Sequence, residues 1–402
     1  MHPTPLTSLF DRAEALWLPY GPSASPIMLA GAFDHVDLEY AAIRKACALL
    51  DQPTRGTLVI TGNDRIPFLN RMVTQELKSW PDYTGVRSFW LSRKGRIDAD
   101  LRLINIPATP SAPARVIVDC DAFAVDRARA GLEAYIIADD VQIADATRIL
   151  HHLALHGPGA PAILARFSTH AAGTPVQSLQ PGQACIVAIN NAEVIVDRCD
   201  STGEVGLELA VPAARAQEIY ETLLQAAHAP EATPSLNPKV HLRPIGWHAY
   251  NVARIEAGTP LYMVDFGPDA LPAETGVLAG RVSFRKGCYL GQEVVARMHA
   301  LGHPKQVVVS LRLHEAPRPD GQPMRQPQAG APVFAENPAS GEQPVGAVSS
   351  STTSPMLGGE AIALGTVKFK HASPGTKLAV LADGTTLLPA TVQPTLASWT
   401  RG

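Results

Sequence analysis

The order in which two periodicities alternate between residues 56 and 144 constrains this chain more than any other feature. GTLVITG (56–62) is an apolar, β-branched run that predicts a strand. From about Asp64 the apolar residues Phe68, Leu69, Met72, Val73 and Leu77 recur at helical spacing. Further strands are predicted at about 86–92, at 97–106, where Ala99, Leu101 and Leu103 alternate with polar residues, and at 115–119. Asp121 is placed to cap a helix reaching about 135, and a last strand falls near 139–144. The order β-α-β-β-β-α-β is close to a ferredoxin-like split βαβ with one extra strand.

The same rhythm recurs more loosely. HVDLEYAAIRKACAL (36–50) places Leu38, Ile43, Ala46 and Leu49/Leu50 at helical spacing. HHLALHG (151–157) reads as a strand and APAILARF (160–167) as a short helix. CIVAI (185–189), AEVIVDR (192–198) and VGLELAV (205–211) read as strands, and Pro212 opens a helix through about 227, since proline suits a helix's first turn. Two α+β layers of similar plan therefore fill the first ~245 residues. From about 305 short strands separated by Gly, Pro and Asp predict a small all-β barrel, with APRPDGQPMRQPQAG (316–330) as a mobile loop.

Composition narrows the function classes. With 34 basic against 37 acidic residues the net charge is −3, which argues against a dedicated nucleic-acid binder. The N-terminus lacks the basic start and apolar run of a secretory signal, and no apolar stretch approaches the length of a membrane span. Five scattered cysteines (Cys47, Cys120, Cys185, Cys199, Cys288) form no CxxC, so the expectation is a reduced, cytoplasmic protein without membrane association. His152/His156 and His299/His303 have i,i+4 spacing, but the first pair sits in a strand-like stretch and Gly302 and Pro304 interrupt the second. No metal site is expected.

Three segments carry chemistry. In Lys286-Gly287-Cys288-Tyr289-Leu290-Gly291-Gln292-Glu293 the glycines favour a tight loop, and neighbouring cations raise the thiolate fraction of an accessible cysteine. A buried Cys acting as a small hydrophobe suits the same residues. In Lys94-Gly95-Arg96-Ile97-Asp98-Ala99-Asp100 the two aspartates share one strand face and suit either an amine or a solvated hairpin edge. In Thr202-Gly203-Glu204-Val205-Gly206-Leu207-Glu208 the last carboxylate lies in an apolar strand. Burial there demands partners, and the paired N–H donors of a pterin fit, while an edge strand would turn it to water.

The order of these segments, with GAFDHVDLEYAAIRKACALLDQPTRGTLVITGNDRIPFLNRMVTQEL before them and VGAVSSSTTSPMLGGEAIALG after, resembles the folate-binding superfamily of the glycine-cleavage T-protein (aminomethyltransferase). KGCYLGQE, preceded by RIEAGTP and GRVSF, resembles the signature of its YgfZ-type branch. The resemblance implies an α+β, three-domain, aminomethyltransferase-like fold with two ferredoxin-like layers and a C-terminal β-barrel. Its domains would be a discontinuous folate-binding one (1–55 with 150–300), a ferredoxin-like one (56–149) and the barrel (301–402). It implies tetrahydrofolate or a derivative as cofactor, with Asp100 at the reactive nitrogens and Glu208 gripping the pterin. Asp119, Arg254, Lys286 and Tyr289 join the cofactor-binding set, and Cys288 supplies the motif's thiol. The implied function is an accessory factor supporting assembly or repair of iron–sulfur enzymes, which would be its client proteins. The alternative is a tetrahydrofolate-dependent aminomethyltransferase or demethylase. T-proteins carry a tyrosine where this chain has Ser201, an aromatic at Arg87, and an Arg-Asp pair at Tyr250-Asn251.

Overall fold

A computed structural model describes residues 4–399, apart from 111, 229–240, 317, 319–321, 323 and 340. The chain divides into two compact units. Residues 1–90, 98–250 and 285–289 form the first, and residues 91–97, 251–284 and 290–402 form the second.

The first unit opens with α1 (Thr7–Arg12), the hairpin β1 (Leu16–Tyr20) and β2 (Ile27–Ala32), and α2 (Val36–Lys45). Its smaller sheet contains β4 (Arg55–Thr61), β5 (Thr84–Leu91), β6 (Ile97–Ile106), β7 (Arg115–Asp121) and β8 (Gln142–Asp145), in the order β5-β6-β7-β4-β8. Helix α3 (Arg65–Met72) buries Phe68, Leu69 and Met72, and α4 (Val125–Glu133), which buries Val125, Ala128 and Leu132, packs on β4 and β8. The larger sheet contains β3 (Cys47–Asp51), β9 (Leu150–His156), β10 (Thr169–Gly173), β11 (Ala184–Ile189), β12 (Ala192–Arg198), β13 (Gly206–Pro212) and β14 (Leu242–Ile245), in the order β10-β11-β12-β13-β9-β3-β14. Helices α5 (Ala160–Phe167) and α6 (Ala216–His228) belong to this layer, Ile163, Leu164, Ile219 and Leu223 sharing a core with Leu153, Leu155, Val196 and Leu209.

Two local expectations need correction. The helix read over 36–50 stops at Lys45, and Cys47–Asp51 is a strand between β9 and the parallel β14. Cys47, Ala48, Leu49 and Leu50 are all buried, and pairing on both edges outweighs local helical spacing. Pro212 ends β13 opposite Leu150 and does not open a helix; a 3₁₀ turn over Ala213–Arg215 precedes α6.

The sheets of this unit meet face to face. Ile104 and Ile106 of β6 and Ile117 of β7 pack on Ala184, Ile186, Ile195 and Ala210 of β11, β12 and β13. Each fully buried aliphatic side chain contributes about 1.5–3 kcal/mol. The two-residue period of a strand puts Asp100 and Arg102 on the same face as Ile104, Asp119 beside Ile117, Asp197 beside Ile195, and Glu208 beside Ala210. The layer between the sheets is therefore hydrocarbon at one end and charged at the other.

In the second unit, α7 (Trp247–Glu256) continues from the first unit, and α8 (Gln292–Leu301) follows the motif's second glycine. Strands β15 (Gln306–Leu313), β16 (Pro332–Ala335), β17 (Gly346–Ser354), β18 (Glu360–Lys368), β19 (Lys377–Leu381) and β20 (Leu387–Val392) close a barrel in the order β15-β18-β17-β16-β19-β20. This is the expected mixed α+β fold with a C-terminal β-barrel. Strand β16 lies in a stretch whose sequence is turn-rich, and part of the expected mobile loop (316–330) lies outside the described residues.

Candidate functional site

The charged end of the inter-sheet layer is organised by Arg102. Its Nη2 meets Asp119 Oδ2 at 2.5 Å, while Nη1 lies 3.2 Å from Asp197 Oδ2 and 3.8 Å from Glu208 Oε2. Asp119 also receives Arg55 Nε at 2.8 Å. Glu208 is 5% exposed and β13 lies inside its sheet, so the alternative of an edge glutamate facing water does not hold. Asp100 is likewise buried, on a strand flanked by β5 and β7, so it is not a solvated hairpin edge; Asp98, nearer the turn, is partly exposed and lies 3.9 Å from Arg127.

Burial and charge act differently on the members. Burial pushes the Asp119 carboxyl up, but the guanidiniums of Arg55 and Arg102 more than reverse this and hold it well below the usual carboxylate range. Asp197 is pushed up to about 7, first by burial and further by Glu208 and Asp119, against the pull of Arg102. His152, bonded through Nε2 to Thr57 Oγ1 at 2.6 Å, is held neutral, its pKa lowered to about 4 mainly by burial. Burial also lowers His156, which has no solvent exposure and no hydrogen-bond partner on either ring nitrogen among the described residues.

The turn from β12 to β13 adds further contacts. Arg44 donates to the Thr202 carbonyl at 2.7 Å and lies 3.7 Å from Glu204. Arg198 is clamped on Asp200, which also accepts from the Gly206 amide at 3.0 Å. Gly206 cannot carry a side chain, because a Cβ there would stand 2.2 Å from the Cys199 carbonyl oxygen. Half-buried Cys199 accepts from Arg87 Nη2 at 2.9 Å, and Tyr250 donates to Ser201 Oγ at 3.4 Å. Of the positions that depart from the T-protein pattern, Arg87, Ser201 and Tyr250 thus contact one another or this turn.

The KGCYLGQE segment is split between structural and exposed roles. Lys286 Nζ donates to the carbonyls of Asn70, Val73 and Gln75 at 2.8, 2.7 and 2.7 Å, using all three of its protons. It also lies 5.2 Å from the ring of Tyr289, which is buried. Lys286 therefore ties the motif to the end of α3. Cys288 is exposed, so the buried-hydrophobe alternative does not apply, whereas Cys47, Cys120 and Cys185 are buried with thiols pushed up by desolvation. Of the two glycines, Gly291 has a left-handed φ of 79° and starts α8, while nothing lies within 4 Å of where a Gly287 Cβ would stand.

Arg254 belongs to the second unit. It is fully buried, with Nη1 on Asp265 at 2.5 Å, Nε on Asn251 at 2.9 Å and Nη2 on Ser350 at 2.6 Å. Asp265 is completed by Ser349, Ser350 and the Leu261 amide. This is a brace between α7 and barrel strand β17.

Sequence reasoning missed Arg55, Arg102 and Asp197, and named Arg87 and Cys199 without bringing them together. The signal was present for Arg102 and Asp197: each is a charge in register with buried isoleucines on its own strand. An apolar cavity of about 260 Å³ in the second unit, bordered by Phe284, Met298, His303 and Phe369, contains none of the candidate residues. Among the described residues no group of three or more His, Cys, Asp or Glu is placed to hold a metal, and no helix is long and apolar enough to cross a membrane.

Residues 9–286 match the family model of the GCVT N-terminal domain, and residues 312–397 that of the glycine cleavage T-protein C-terminal barrel domain. A protein named aminomethyltransferase from Chlorobium chlorochromatii is 27% identical over 385 residues, covering 96% of this chain and 95% of its own. Another of that name from Caldanaerobacter subterraneus is 24% identical over 378 residues, covering 94% and 91%. The crystal structure of the glycine cleavage system aminomethyltransferase T from Bartonella henselae superposes with a TM-score of 0.79 at 22% identity, covering 98% of each chain, and so shares the fold.

Proposed function

Because this chain belongs to the glycine cleavage T-protein family by both its N-terminal and its barrel domain, we propose that it is a tetrahydrofolate-binding accessory protein of the YgfZ type, supporting assembly or repair of iron–sulfur enzymes. Tetrahydrofolate or a derivative is the cofactor of that family. The residues present fit it: among the described residues no hydrogen-bond donor within bonding distance serves the buried Glu208 carboxylate, so its oxygens suit the paired N–H groups of a pterin. The family's cofactor supplies one-carbon chemistry at its reduced pterin nitrogens. In this reading Glu208 binds and orients the ring, and Asp100 faces the reactive nitrogens.

One observation carries the accessory reading: a single exposed thiol, Cys288, on a segment anchored two residues earlier by the three bonds of Lys286. That arrangement presents sulfur to a partner protein instead of to an interior ligand. Arg87, Ser201 and Tyr250 replace the T-protein residues of the pocket, which further favours a role other than glycine cleavage.

The second reading, folate-dependent aminomethyl transfer or demethylation, is favoured by the buried carboxylate of Asp100 and by the names of the relatives. Turnover with tetrahydrofolate and an N-methyl or aminomethylated donor separates the two. Failure of the host's iron–sulfur enzymes in Cys288→Ala, without such turnover, is the expected result. Turnover lost in Asp100→Asn yet kept in Cys288→Ala overturns the accessory reading.

A further inference from the structure

Asp197 and Glu208 stand directly opposite each other in the antiparallel register of β12 and β13. Side chains in that relation share a sheet face, with Cβ atoms roughly 4.5–5.5 Å apart, and like charges so placed repel. Both carboxylates are buried, and both turn to the same nitrogen, Arg102 Nη1. That guanidinium is already committed through Nη2 to Asp119.

The charges around the pair come from every neighbouring strand. Arg102 and Asp100 lie on β6, Asp119 on β7, Arg55 on β4, and Arg87 on β5, the last turned to Cys199. His152 and His156 lie on β9 and are kept neutral by burial, and Cys185 on β11 holds a neutral thiol. Asp121, buried on β7 beside Asp119 and Arg55, accepts from Tyr20, so carboxylates outnumber guanidiniums, and the opposed Asp197 and Glu208, sharing one nitrogen, keep an uncompensated repulsion in a desolvated layer. A single proton removes it. A second observation points to a ligand at the same place: His156 lies opposite Gly206, two residues along from Glu208 on the shared face, and among the described residues neither of its ring nitrogens has a hydrogen-bond partner.

We propose that Asp197 and Glu208 form a one-proton dyad, so that the site offers a hydrogen-bond donor on Asp197 beside the bidentate acceptor of Glu208. This is the complement of a 2-amino-4-oxopteridine edge, which carries two N–H donors next to a carbonyl oxygen. The inference rests on the folate reading above and adds a residue and a proton to it. The elevated titration of Asp197 agrees with the arrangement. Pterin binding then requires the protonated dyad, and affinity falls as pH rises through its midpoint.

Two measurements on the full-length protein test this. In the first, the ligand-free protein carrying ¹³C-labelled aspartate is titrated by NMR, with the Asp197 carboxyl assigned by its absence in Asp197→Asn. Titration near neutrality, moving down by about one unit or more in Glu208→Gln, is expected; a midpoint in the usual range of about 4 overturns the dyad. In the second, 5-formyltetrahydrofolate is titrated calorimetrically at pH 6 and pH 8.5. Wild type is expected to bind ~10-fold more weakly at the higher pH, while Asp197→Asn, which keeps a donor but cannot titrate, binds equally at both. A flat wild-type profile, or an equal slope in Asp197→Asn, overturns the proposal. Absence of binding at either pH overturns the folate reading and the ligand half of this inference together, and the NMR titration still decides the dyad.

Discussion

Two buried arginines, one in each unit, are treated in opposite ways. Around Arg254 every group is matched: Asp265 accepts from the guanidinium, two serines and a backbone amide, and the serines belong to the barrel strand being braced. Around Arg102 the matching is incomplete: Asp197 and Glu208 share one nitrogen, and among the described residues Arg102 Nε has no acceptor and neither ring nitrogen of His156 has a hydrogen-bond partner. Burying an unmatched polar group costs about 1–3 kcal/mol, so a fold keeps one only where something else completes it. The first cluster is architecture. The second is where we place the proposed ligand.

The comparison breaks most readily at Arg254. Arg254→Met strands Asp265 in the interior and is expected to lower unfolding stability by about 3–5 kcal/mol in denaturant titrations; a loss under about 1 kcal/mol would mean that the brace is not one. Next comes Glu208→Gln, which offers an amide where an acceptor pair is needed. Its affinity for 5-formyltetrahydrofolate should fall about 100-fold by calorimetry, with stability unchanged or raised, whereas a stability loss like that of Arg254→Met would place both arginines in one class.

Asp197 gives a smaller effect with a definite sign. Its folded-state pKa of about 7 lies above the ordinary value of 3.8, so the native state holds the proton more tightly than the unfolded chain. Stability is therefore lost as pH rises from about 4 to 7. Asp197→Asn should be more stable than wild type at pH 8 by about 1–3 kcal/mol, a gain that disappears near pH 4. An equal gain at both pH values would remove titration from the account.

Lys286→Met, which deletes three bonds to carbonyls, should cost about 1–3 kcal/mol and make Cys288 react faster with a thiol reagent as its segment loosens. Smallest is the effect of blocking Cys288 itself. The thiol should be modified first among the five without a measurable change in stability, and the buried Cys47, Cys120 and Cys185 should react only on unfolding.

Much of this was legible in the chain. The strand and helix order over 56–144 follows from periodicity alone, because each element there has one apolar face and one set of neighbours. Cys47–Asp51 was not legible as a strand: its spacing suits a helix, and only pairing with β9 and β14, far away in sequence, decides otherwise. Glu208 could be singled out as a carboxylate among apolar residues. Lys286 was expected beside the cofactor and the Cys288 thiol, yet its protons are spent on carbonyls more than 200 residues earlier.

What the sequence determines by itself is which strand face each residue occupies, since alternation is a local property of the extended backbone. Asp100, Arg102, Asp119, Asp197 and Glu208 were bound to share faces with their isoleucine and alanine neighbours. Only the tertiary structure decides that two such faces meet and that their charged ends coincide. Attraction between charges in a desolvated layer depends on through-space distance, and no local pattern encodes the register of two sheets packed against each other.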